Sequence, residues 1–155
     1  MAARKPHKGN RIGEAFLALP YSVLNSPLFL KLSPHGVKLL LDVAAQYRGN
    51  NNGDLGIAWK LMQPRGWRSE ATLHKAKREL VGAGFLYQTR QGLRPNTCSL
   101  FAVTWAGLDA SDKFDHGAKA GFTRGEYRFK VPLIVVAATN KNTALTSPAV
   151  AVKAA

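Results

Sequence analysis

Acidic residues are scarce: 9 Asp and Glu stand against 22 Lys and Arg in 155 residues, a net charge of +13 with a pI near 10.3. That imbalance selects polyanionic or acidic company. Nucleic acid, an anionic membrane surface and an acidic protein all profit from it. Cysteine is nearly absent too. Cys98 alone cannot close an internal disulfide, and within the apolar run Thr97 to Trp105 it is expected as a buried structural thiol in a strand. No long apolar run is present, and Met1 to Arg11 is polar, so no membrane span, signal peptide or amphipathic anchor is expected. These absences predict a cytoplasmic protein with no membrane partner.

Reactive constellations are missing as well. The histidines His7, His35, His74 and His116 lack any i, i+4 or Cys-paired spacing, so neither a metal site nor a zinc finger is expected. No glycine loop suited to cradling phosphate occurs, no carboxylates pair in a credible pocket, and no Ser or Cys has a base nearby. The sequence therefore predicts no catalysis and no small-molecule cofactor.

What is present is a run of ordered elements between basic and low-complexity ends. Arg4, Lys5, Lys8 and Arg11 make residues 1–15 a basic flexible arm. Tyr21 to Ser26 reads as a short leading turn. Ser33 is a good N-cap, Pro34 suits the first helical position, and Val37, Leu40, Leu41 and Ala44 recur at helical spacing, which predicts a helix over 34–48. Gly49 and the run Asn50 to Gly53 end it. Leu55 to Ile57 reads as a very short strand, and Trp59 to Met62 as a brief helix stopped by Pro64 and Gly66.

Ser69 opens the next helix, 69–82, with Leu73, Ala76, Leu80 and Ala83 along one face and Gly82 and Gly84 as the stop. Phe85 to Arg90 and Cys98 to Trp105 then form a hairpin. Trp59, Trp105, Phe85 and Phe101 sit in apolar runs and are expected in the core. Trp67, in polar surroundings, either closes the turn over the helix start or touches a DNA backbone. From 109 to 155 the composition is that of a low-complexity C-terminal tail, with a short strand at Val131 to Ala137 and docking expected through 127–137.

The order helix, short strand, short helix, helix, hairpin, together with Ser69-Glu-Ala-Thr-Leu-His-Lys-Ala-Lys-Arg-Glu-Leu80 and Gly82-Ala-Gly-Phe-Leu86, resembles the winged helix-turn-helix plan. Leu19-Pro-Tyr-Ser-Val-Leu-Asn-Ser26, Leu32-Ser-Pro-His-Gly-Val-Lys-Leu-Leu40 and Gly49-Asn-Asn-Asn-Gly-Asp-Leu55 resemble DNA-binding proteins of bacterial plasmids, phages and integrative elements. The resemblance covers residues 16–108. It implies an α+β fold, three helices plus a two- to three-stranded wing with flexible N- and C-terminal tails, and a transcriptional regulator or origin-binding replication protein.

A helix in the major groove turns its N-terminal outward side chains to base edges while neighbouring groups hold phosphates. With Leu73, Ala76 and Leu80 inward, the base-reading candidates are Glu70, Ala71, His74 and Lys75. Arg78 lies on the same outward face. Ser69 and Thr72 stand at the helix start, where backbone N–H groups receive phosphate, and Arg68 precedes them. Between Lys60 and Pro95 eight basic residues face only Glu70 and Glu79. Arg90 and Arg94 flank the wing tip, within reach of a phosphate or the minor groove. The expected partner is double-stranded DNA, bound by a homodimer on a two-fold site. Three plainer readings stay open: a solvated basic face with Glu79 paired to Lys75 at i, i+4, a protein-interaction module acting as inhibitor or adaptor, and RNA binding.

Overall fold

The computed structural model describes residues 16–93 and 97–130. It is an α+β fold in which helices enclose a small antiparallel sheet. The elements run α1 (Tyr21–Leu24), α2 (Pro34–Ala44), β1 (Leu55–Gly56), α3 (Trp59–Met62), α4 (Glu70–Gly82), β2 (Leu86–Arg90), β3 (Leu100–Val103) and α5 (Ala118–Gly121). Single 3-10 turns lie at Phe29–Lys31 and Gln63–Arg65 between them and at Glu126–Arg128 after α5. The strand order is β1-β3-β2. Among the described residues no helix is long and apolar enough to cross a membrane.

The start of α2 is as its sequence predicts: Ser33 Oγ accepts the Gly36 N–H at 3.0 Å, and Pro34 occupies the first turn. Its end comes earlier than residue 48. Asn51 folds back on the chain, its Nδ2 donating to the Gln46 carbonyl at 2.9 Å and its Oδ1 accepting the Arg48 N–H at 2.7 Å. Those groups would otherwise continue the helix. The Gln46 side-chain amide pairs with both backbone groups of Gly56, donating to its carbonyl at 2.9 Å and accepting its N–H at 3.0 Å, and ties the end of α2 to β1.

Helix α4 keeps its predicted bounds, with Ser69 as N-cap accepting the Thr72 N–H. Leu73, Ala76 and Leu80 are buried as expected and pack in one core with Leu39, Leu40 and Val43 of α2 and with Phe85 and Phe101. Trp59 and Trp105 lie half-buried against that core. Gly84 ends the unit with φ 76°, and a Cβ there would stand 2.9 Å from the Tyr127 backbone nitrogen. Only glycine meets both demands.

Two expectations are corrected. Cys98 is exposed, because β3 begins only at Leu100 and residues 97–99 belong to the hairpin connection. The folded unit also continues past Leu108. Tyr127, the first residue of the expected docking stretch, is 2% exposed and stacks on Phe85 with ring centroids 5.1 Å apart, and the chain before it is held as well. Asp109 N–H donates to the Asn52 carbonyl, Asp115 N–H to that of Thr89 and Gly125 N–H to that of Thr104. A few anchors, Tyr127 and Phe122 among them, hold a segment whose average composition is polar. The arm 1–15, the strand expected at Val131 to Ala137 and the docking stretch past Lys130 lie outside the described residues.

Candidate nucleic-acid interface

Helix α4 shows two faces. Leu73, Ala76 and Leu80 point into the core, while Glu70, Ala71, His74, Lys75 and Arg78 are exposed. Arg68 and Ser69 are exposed just before the helix, and Thr72 is half-buried. Glu70, Ala71, His74, Lys75 and Arg78 share one face, as helical spacing requires, and Arg68 and Ser69 lie at its start. Lys77 lies between the two faces, its ammonium 6.0 Å from the centre of the Phe101 ring. A shallow concavity of about 150 Å³ separates α4 from the hairpin, with Glu70, His74 and Lys77 on one side and Cys98, Ser99 and Phe101 on the other.

The hairpin residues fare differently from those on α4. Arg90 is half-buried, and its Nε donates to the Cys98 carbonyl at 3.0 Å, bracing the two limbs of the hairpin. A bulge precedes it: Gln88 pairs with Phe101 and Arg90 with Leu100, leaving Thr89 as the extra residue, its hydroxyl bound to the Gly53 carbonyl. Arg94 lies outside the described residues.

Where the acids go decides the charge of this surface. Glu79 does not pair with Lys75. Its two oxygens instead accept the backbone N–H and the hydroxyl of Ser33, each at 2.6 Å, fastening α4 to the start of α2. Asp54 pairs with Lys113, Glu126 with Lys130, and Asp115 accepts the Gln91 N–H. Among the described residues, Lys75 and Arg78 meet no carboxylate. Their charge projects into solvent uncompensated.

The turn from α3 to α4 is built on a buried acid. Gly66 takes a left-handed conformation, φ 87°, and delivers Trp67 into the core at 4% exposure. Trp67 therefore closes the turn. Its indole N–H donates to Asp42 Oδ2 at 2.8 Å, Lys38 Nζ reaches the same oxygen at 2.7 Å, and Arg65 Nε binds Asp42 Oδ1 at 2.9 Å. Lys38 Nζ also donates to the Arg65 carbonyl at 2.8 Å and stands 5.1 Å from the Trp67 ring centre. Burial pushes the Asp42 carboxyl up, but the donors Lys38, Trp67 and Arg65 outweigh it and hold the group below its ordinary value.

Sequence reasoning missed this node. Its visible trace was a lone acid inside the apolar stripe of α2, four residues after Lys38. No protein family, curated protein or solved structure matches the chain.

Proposed function

We propose that the chain is a winged helix-turn-helix protein that binds duplex DNA through α4, with the β2–β3 hairpin as its wing. The observation that carries this reading is the exposed face of α4, whose Lys75 and Arg78 meet no carboxylate among the described residues, beside a hairpin that flanks the helix. The α3–turn–α4 unit followed by two strands, in a sheet of order β1-β3-β2, supports the same assignment. A helix held by one face and free on the other fits the major groove, which admits an α-helix and displays base edges there.

In this reading Glu70, Ala71, His74 and Lys75 face base edges. Arg68, Ser69 and Thr72 at the helix start, and Arg78 further along, hold phosphates, while Arg90 and Arg94 serve the wing. Two copies occupy a two-fold site, and the role is transcriptional regulation or origin binding in a mobile element, as the resemblance of residues 16–108 implies. Electrophoretic titration with duplex DNA at low salt is the test, and absence of a shift there sinks the reading. Arg78→Ala should weaken binding to all sequences alike and lower the salt slope by about one, whereas Lys75→Ala should weaken binding to the preferred site most and relax specificity there.

A further inference from the structure

Beside the N-terminal end of α4, a concavity of about 180 Å³ is lined by His35, Lys38, Gly66, Trp67, Arg68, Ser69 and Thr72. Lys38 of α2 and Arg68 before α4 line it, and Arg65 stands next to it, outside the lining, joined to Lys38 through Asp42. The side chains of Lys38 and Arg65 are 40% and 41% exposed, although the carboxylate they share is 11% exposed. The two cations outnumber the one acid. Arg68, exposed on the same rim, adds a further positive charge.

The hydrogen bonds divide the work between the cations. Lys38 Nζ is committed to Asp42 and to the Arg65 carbonyl. Arg65 meets Asp42 through Nε alone, and among the described residues its two Nη groups meet no acceptor. A guanidinium bound edge-on through Nε keeps its other donors in a fixed plane, which suits an oxygen pair on phosphate. We propose that Arg65, held by Asp42, is a backbone-phosphate clamp for the duplex that α4 reads. The clamp rests on the duplex-binding reading and adds Arg65 as a contact residue, with Asp42 as its positioning residue. Phosphate contacts fix register without reading sequence, so a clamp outside α4 adds to the phosphate contacts of Arg68, Ser69, Thr72 and Arg78 without occupying a base-facing position.

The test is binding of the full chain to a labelled mixed-sequence duplex at several KCl concentrations. Arg65→Ala should weaken binding about fivefold to tenfold near 0.1 M salt, equally on all sequences, and lower the salt slope by about 0.9. Arg65→Lys keeps the charge without the fork and should recover only part of that loss; full recovery overturns the clamp geometry. Asp42→Asn makes the protein one charge more positive, so an unpositioned basic surface would bind DNA more tightly. The clamp requires weaker binding, in a variant whose circular dichroism shows it folded. If that variant does not fold, the two Arg65 variants decide. If Arg65→Ala leaves affinity and slope unchanged while Arg78→Ala lowers both, the clamp is wrong and the duplex reading stands. If the unaltered chain binds no duplex, both fall.

Discussion

Asp42 shows how one side chain joins stability to the geometry of the candidate site. Its carboxylate takes three donors at the turn between α3 and α4. Because its pKa is lowered from 3.8 in the folded chain, the proton binds the unfolded state more readily. The stabilising contribution is therefore complete above that ordinary value and is lost as pH falls through the lower, folded value. Urea unfolding as a function of pH should show the unaltered chain losing stability on acidification more steeply than Asp42→Asn, and equal slopes would refute the assignment. Little of this was legible in the sequence. Lys38 and Asp42 are visible at i, i+4, but Trp67 and Arg65 meet the acid only through the fold. Trp67 thus read as a residue in polar surroundings, and its one buried polar partner lay 25 positions away.

Elements whose signals are local were read correctly. The cap of α2 and both faces of α4 depend on residues within a few positions of one another; on α4 the expected periodicity agrees with the buried set, whereas on α2 Leu41 of the predicted stripe is 43% exposed and Val37 half-buried. The end of α2 and the partner of Glu79 depend on residues brought from elsewhere. A local rule assigns Glu79 to Lys75 at i, i+4, yet the carboxylate crosses to Ser33, 46 positions away. Glu79→Ala should therefore cost about 1–3 kcal/mol, since it strips two charge-assisted bonds from the α2–α4 junction. Exposed Lys75→Ala should change stability by less than about 0.5 kcal/mol. Chemical denaturation of both variants separates the junction from an ion pair along the helix, because the ion pair requires two similar losses.

For the molecule as a whole, the order of helices and strands was legible but the extent of the folded unit was not. Residues 109–155 read as a tail docking through 127–137; Tyr127, at the head of that stretch, docks by stacking on Phe85 with its hydroxyl 3.1 Å from Ser22 Oγ, 105 positions away, but residues 109–125 are also bonded to Asn52, Thr89 and Thr104. Tyr127→Ala should cost about 3–5 kcal/mol, as large aromatic-to-alanine changes in cores do. A chain cut after Leu108 should lose at least as much. Thermal unfolding followed by circular dichroism measures both, and a shortened chain as stable as the full one would show that the segment is dispensable. The same stack has a consequence for biosynthesis. The ribosome adds Tyr127 long after Phe85, roughly 2–8 s later at ordinary elongation rates. Throughout that interval the Phe85 ring lacks the partner that covers it. The nascent protein therefore offers a bare aromatic face to chaperones, or to neighbouring nascent chains, until Tyr127 arrives.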